Sequence, residues 1–336
     1  MRILLSSWSF HPSIGGLEAV SQMLAEEFFR RGHEVTVVTE TPAGGEEEFP
    51  FRVWRRPAPS RLIQLLRHSD VYLQNHISLL LAWPLLFVRR PWVVAHHNWT
   101  SRSGLRGRMK HSLLTYGRSI ACSRAIAHSL GVPSTIAGGP YDDRTFRVEP
   151  DAQRNRDLIY VGRLAAGKGP HLLLDAVNRL KLQGIEATVT ITGFGPDSEL
   201  LMKQAKNLGI ARQVEFTGPR SGRDLALLLN RHRIQVVPSV WQEPFGIVAL
   251  EGIACGCVIV GSEQGGLKDA IGRCGVTFPN GDVSALTDSL SRLLRDPSIW
   301  GPYREAAASH LQSYTRSNVA DSYLKVLMAV NATPTA

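Results

Sequence analysis

Two glutamates stand eight positions apart in the stretch EPFGIVALE, Glu243 and Glu251. Pro244 and Gly246 make a turn, and helix propensity resumes from Ile247 to Leu250. That places Glu251 four or five residues into a helix, about 6–8 Å along its axis. Glu243 precedes the N-terminus, whose free N–H groups can take a phosphate or a sugar hydroxyl. Two vicinal ribose hydroxyls suit one carboxylate acceptor, so a nucleotide-sugar would satisfy both glutamates. The plainer alternative is that Glu243 caps the helix and Glu251 is solvated.

Three glycine-bearing loops could contribute. In PSIGGLEAVSQML, Gly15 and Gly16 sit between a first strand and a first helix, where paired glycines let backbone approach an anion; they could equally be a tight turn. LIYVGRLAAGKGP carries G-x-x-x-x-G-K, but Gly169 stands where a Walker A loop places the Ser or Thr that holds Mg²⁺. Arg163 and Lys168 in that loop are cations suited to a diphosphate. ITGFGPDSEL begins a GxGxxG that fails at Ser198, which argues against a dinucleotide-dependent oxidoreductase. A P-loop-like nucleotide-binding module stays open as an alternative.

The elements that must position these residues read as α/β. Met1–Ser7 and Glu34–Thr39 are predicted strands around a helix over Leu17–Arg31; PWVVAHH (91–97) is a strand running into a polar loop, and SRAIAHSLG (123–131) is a helix with a Ser cap and a Gly stop. A fresh series begins after VEPDAQRNRD (148–157): LIYVG, TVTITG, IQVVPS and CVIVGS are four strands separated by helical patterns. With 336 residues the chain accommodates two domains, 1–150 and 151–312, followed by a helix near Ser317–Val330 and an unstructured ATPTA end.

The four cysteines form no CxxC pair and read as core residues of a protein in a reducing, cytoplasmic setting. MRILLSSWSF is too short in its apolar part for a signal peptide, and the apolar run Ile77–Val88, interrupted by Pro84, falls short of the about 20 residues a membrane span needs. The net charge of +9 is uneven: between Phe49 and Arg124 there are thirteen Lys or Arg against one acid, Asp70. No nucleic-acid-binding module accompanies this excess, so nucleic acid is not an expected partner.

PSVWQEPFGIVALEGIACG followed by EQGGLKD resembles the E-x7-E region of family-4 retaining glycosyltransferases. IGGLE, VGRLAAGKG, ITGFGPDSELL, VEFTG and PYDDRTF agree in order, the last closing the N-terminal half. The resemblance implies the GT-B fold: two Rossmann-like domains facing a cleft, acceptor on the N-terminal side and nucleotide-sugar on the C-terminal side, with a final helix (313–330) packing back on the first domain. It implies that Arg163 and Lys168 bind the donor diphosphate, Glu251 the ribose, and Glu243 the transferring sugar beside the backbone N–H groups of Phe245, Gly246, Ile247 and Val248. Gly15 and Gly16 would approach the diphosphate, and His97, favoured over His96 by strand register, would bond the donor sugar near the reacting carbon. No Asp-x-Asp motif is present, so neither metal nor other cofactor is expected. The expected partners are a nucleoside-diphosphate sugar and a sugar, glycan or lipid-linked acceptor. Another nucleotide-sugar enzyme of the fold, a phosphorylase or epimerase, is the alternative activity.

Thr100–Ser119 sets Leu105, Met109 and Leu113 four apart among Arg102, Arg106, Arg108, Lys110 and Arg118. Two readings stand: an ordinary packed helix with a basic outer face, and a peripheral contact with the inner face of a membrane.

Overall fold

The computed structural model describes residues 1–13, 15–44 and 48–332. The last four residues of the ATPTA end and Ile14 of IGGLE lie outside them. The chain divides into two units, Met1–Pro140 with Thr315–Ala336, and Tyr141–Tyr314.

The first unit is built on seven strands, β1 (Arg2–Ser7), β2 (Glu34–Thr39), β3 (Arg52–Arg55), β4 (Val71–Asn75), β5 (Trp92–His96), β6 (Arg118–Ala121) and β7 (Ser134–Ile136). All pair in parallel, in the order β3-β2-β1-β4-β5-β6-β7. Strands covered on both faces are continuous apolar runs, and Leu4, Leu5, Val37, Val38, Leu73, Val93 and Val94 are sealed from solvent. Helices α1 (Gly16–Arg30), α2 (Pro59–His68), α3 (Leu79–Ala82), α4 (Gly104–Leu114) and α5 (Arg124–Leu130) connect them. The Ser123 hydroxyl accepts from Ile126 N–H and Gly131 closes α5 at φ 65°. Pro84 divides the Ile77–Val88 run into α3 and a single 3₁₀ turn, Trp83–Leu86. The C-terminal helix, Arg316–Ala332, lies on α1: Arg316 reaches Glu26 at 3.1 Å, and Arg31 reaches Asp321 at 3.2 Å and the Ser317 carbonyl at 2.8 Å.

The second unit holds β8 (Arg156–Val161), β9 (Val189–Thr192), β10 (Val214–Gly218), β11 (His232–Val237), β12 (Val258–Ser262) and β13 (Gly275–Phe278), again all parallel, in the order β10-β9-β8-β11-β12-β13. Its helices include α6 (Pro170–Leu182), α7 (Ser198–Asn207), α8 (Gly222–Asn230) and α9 (Ile247–Ala254). Leu173, Leu174 and Val177 of α6 pack on Leu158, Val189, Ile234 and Val258 of the strands to form the core. Strand order reverses between β8 and β11, the switch point outside whose carboxyl ends such sheets bind ligands.

Two expectations need correction. Residues 141–150, with all of PYDDRTF but Pro140, group with the second unit rather than closing the first. Their backbone is tied there: Glu149 N–H donates to Asn230 Oδ1 at 2.9 Å, and the Arg147 carbonyl accepts from Asn230 Nδ2 at 2.9 Å. The four strands read for this unit are six, because β10 and β13 are short edge strands of mixed polarity with weak apolar signatures.

Candidate active site at the β8/β11 switch point

The loop after β8 and the loop after β11 meet backbone to backbone. The N–H groups of Val240 and Trp241 both donate to the Gly167 carbonyl, at 3.0 and 3.2 Å. Ala166–Lys168 forms one 3₁₀ turn rather than a phosphate loop, and Gly169 follows it at φ 69°. A Cβ at Gly169 would lie 1.9 Å from the Pro238 carbonyl oxygen, so glycine replaces the Walker A hydroxyl residue for steric reasons. The GxG at Gly193 has the same origin: Cβ atoms at Gly193 and Gly195 would strike the carbonyl oxygens of Gly162 and Leu164, at 1.8 and 2.2 Å. These glycines let two strand-end loops touch, and the third glycine of a dinucleotide fingerprint has no part in that contact.

This junction places Lys168 beside Glu243. The ammonium donates to Glu243 Oε1 at 2.7 Å and lies 5.1 Å from the centre of the Trp241 ring. The same carboxylate oxygen accepts from the Ser239 hydroxyl at 2.6 Å. Glu243 is 6 % exposed, and its backbone is pinned by a bridge to Gly265 and by Gly266 N–H donating to its carbonyl at 2.6 Å. It is therefore a clamped group, and it does not cap the helix: the N-cap is Gly246, with no side-chain cap bond. Phe245 is buried, its ring 5.4 Å from that of Tyr314. Gly246 turns the chain at φ 110°, where a Cβ would meet the Leu267 side chain at 2.5 Å. Ile247 and Val248 open α9, so their N–H groups are among the four that lack intrahelical acceptors.

Glu251 sits in the second turn of α9 with its carboxyl pushed up to about 8, first by burial and then by the Asp142 charge. Of the two cations read from the sequence, only Lys168 reaches Glu243. Arg163 is exposed on the β8 loop, and its carbonyl accepts from the Tyr160 hydroxyl at 2.8 Å. Ser239, Trp241 and Asn280 were not singled out from the sequence. Asn280 Nδ2 donates to the Val240 and Trp241 carbonyls at 3.3 and 3.2 Å, holding the β11 loop from outside. PSVWQE places Ser239 four residues before Glu243, a usable signal; Asn280 is remote in sequence and gave none.

Gly15, Gly16 and His97 belong to the other unit. Gly15 is the extended N-cap of α1, and both glycines are exposed. Behind them the Ser21 hydroxyl donates to Ser7 Oγ at 2.9 Å and accepts from Asn75 Nδ2 at 2.5 Å, tying α1 to the ends of β1 and β4. His96 ends β5 fully buried, with neither ring nitrogen partnered among the described residues. His97 is partly exposed, and its Nε2 pairs with the buried Tyr323 hydroxyl at 3.1 Å. Burial, then the neighbouring His76, lowers His97 to about 3, so its imidazole is neutral. On α4, Leu105 and Met109 are exposed, Leu113 is half-buried, and Gly107 and Leu114 are buried, so the helix packs by one face and leaves part of the apolar stripe outward. No helix of the described residues is long and apolar enough to cross a membrane, and no group of three or more His, Cys, Asp or Glu among them could hold a metal ion. All four cysteines are buried and none is in a disulfide.

Two parallel-sheet Rossmann-like domains are the architecture of the GT-B glycosyltransferases. Residues 142–311 match the family model described as glycosyl transferases group 1, and residues 14–132 match that of glycosyltransferase family 4. The chain belongs to this glycosyltransferase family. Glycogen synthase of Mycobacterium tuberculosis is 28 % identical over 98 % of this chain and 95 % of its own length. D-inositol 3-phosphate glycosyltransferase of Corynebacterium jeikeium is 34 % identical, over 52 % of this chain and 43 % of its own. Among solved structures, HepE of Anabaena in complex with UDP and glucose shares the fold with a TM-score of 0.82 at 21 % identity, covering 98 % of this chain and all of that one.

Proposed function

We propose that the protein is a retaining, metal-independent glycosyltransferase that moves a hexose or related sugar from a UDP- or GDP-linked donor to an acceptor hydroxyl on a sugar, glycan or lipid-linked carrier. The observation that carries this reading is the clamped Lys168–Glu243 pair directly before the free N–H groups of α9. Glu243 accepts from hydroxyls of the transferring sugar, and Glu251, one turn further on, accepts from the ribose. Lys168, Arg163 and the α9 N-terminus meet the charge that develops on the leaving diphosphate. As the bond from the anomeric carbon to phosphate breaks, the acceptor oxygen attacks on the same face, and the departing phosphate oxygen takes its proton. This needs no paired carboxylates of the hydrolase kind. Gly15 and Gly16 are assigned to the diphosphate and His97 to the donor sugar on sequence resemblance. UDP is the first donor to try, since the HepE structures contain UDP and UDP-glucose.

The test is transfer from UDP- and GDP-sugars in EDTA, with the anomeric configuration of the product read by NMR. Transfer in EDTA with retention supports the proposal; strict Mg²⁺ dependence or inversion overturns it.

The outward Leu105 and Met109, flanked by Arg102, Arg106 and Arg108, favour a second reading for α4: peripheral contact with an anionic bilayer. Sedimentation with anionic vesicles that falls as salt rises supports it, and no binding at low salt counts against it.

A further inference from the structure

We infer that the first unit carries a second binding site, for a small phosphorylated organic molecule, at the edge of its sheet opposite Gly15 and His97. Because its strands are all parallel, their first residues share one edge, and Arg2, Glu34 and Arg52 open β1, β2 and β3 there. Gly15 and His97 follow the far ends of β1 and β5. A six-residue strand separates the two edges by about 20 Å.

At the starting edge a cavity of about 300 Å³ opens between these strands and α2, lined by Arg2, Arg52, Trp54, Arg61, Leu65 and Ser69 among others. Its cations are not equivalent. Arg2 is already engaged by Asp70 at 2.6 Å. Arg61 is laid over the Trp54 ring at 4.1 Å from its centre, and its Nη1 donates to Gln64 Oε1 at 2.8 Å. Its Nε is buried without an acceptor among the described residues. Arg52 projects from an exposed position with no carboxylate partner among them. Glu34, exposed at the start of β2, is the one carboxylate among the lining residues.

A buried guanidinium N–H without an acceptor is costly, and an incoming oxyanion relieves that cost. Two guanidinium forks in one cavity suit the oxygens of a phosphate. Ile3, Leu4, Leu65 and the Trp54 ring give part of the wall an apolar character suited to a ligand's organic body, beside the polar Thr36, Gln64, His68 and Ser69, which can meet its hydroxyls. The volume is at the small end for organic-ligand sites, which fits a monosaccharide phosphate and not a nucleotide-sugar. The local excess of arginine, which the donor site leaves unused, is accounted for in part by this edge.

The experiment is thermal stabilisation of the full chain by glucose 6-phosphate, glucose and inorganic phosphate, with UDP as a separate reference. Glucose 6-phosphate is expected to stabilise the wild type more than either fragment. Arg61→Gln and the exposed Arg52→Gln are each expected to weaken that response about tenfold while leaving the UDP response intact, which also reports folding. No response of the wild type to glucose 6-phosphate overturns the inference. So does a response unchanged in both variants, or one that inorganic phosphate reproduces in full. Failure of UDP alone to stabilise bears on the donor site and not on this one.

Discussion

Lys168 and Glu243 come from loops 75 residues apart and meet at 2.7 Å, the carboxylate buried and the ammonium about one-third exposed. Removing the ammonium strands a buried carboxylate. Lys168→Ala should therefore cost about 1–2 kcal/mol, less than a wholly buried pair because the ammonium is partly solvated. Its affinity for UDP should fall about tenfold. The double variant Lys168→Ala/Glu243→Gln should recover most of the stability and none of the transfer. Denaturant unfolding alongside UDP titration checks this. A double variant no more stable than the single one removes the argument that an unpaired charge is the cause.

Glu251 gives a pH signature. Its carboxyl lies near 8 in the folded protein against an ordinary 4.5, so the native state binds the proton more tightly than the unfolded chain. The contribution is thus fully present below about 4.5, and stability drains away as pH rises through the window to about 8. Glu251→Gln should flatten that slope. Ribose hydroxyls donate best to the charged carboxylate, so UDP affinity in the wild type should rise across the same window and level off above it. Melting temperatures and UDP titrations from about pH 5 to 9 test both parts, and parallel slopes for wild type and variant would remove Glu251 as the source.

Completing the Walker A pattern should damage this protein. Gly169→Ser places a Cβ where the Pro238 carbonyl already sits, at a left-handed φ that a serine rarely adopts. The expected cost is about 2–3 kcal/mol, with weakened UDP binding because the Gly167 carbonyl and the Trp241 loop are displaced together. No Mg²⁺-dependent ATPase activity should appear. Calorimetry and a phosphate-release assay decide it; a stable, ATP-hydrolysing variant would restore the P-loop alternative.

How much of this was legible beforehand follows from where the signals lie. The α5 caps, the β1–α1–β2 unit and the Glu243–Glu251 spacing are local patterns, and each is found where the residues place it. β3 was invisible because an edge strand reading RVWR has no apolar run. β4 was missed because VYLQN turns polar at its site-facing end, where Gln74 and Asn75 are fully buried. The paired roles of Gly169 and Gly193 were illegible because the carbonyls they make room for, of Pro238 and Gly162, lie in loops after other strands far away in sequence. The domain boundary slipped by ten residues for a similar reason: Asn230, which anchors 147–149, announces nothing about them locally.

The last prediction concerns His97 and Tyr323. The hydroxyl lies 3.1 Å from Nε2 and belongs to the C-terminal helix, which arrives 226 residues later. With His97 neutral near 3, that contact is between uncharged groups and fixes the ring's orientation, not its charge. Tyr323→Phe keeps the packing of a fully buried ring and removes one hydrogen bond, so stability should drop by about 1 kcal/mol. If His97 touches the donor sugar, kcat should fall several-fold while UDP, which lacks that sugar, binds as before. His97→Ala should lower kcat much further with the same unchanged UDP affinity. Neither rate profile should show a histidine limb between about pH 5 and 8, where an ordinary imidazole titrates. Loss of UDP binding in Tyr323→Phe, or a wild-type rate in His97→Ala, would detach this pair from the sugar and leave the helix contact structural.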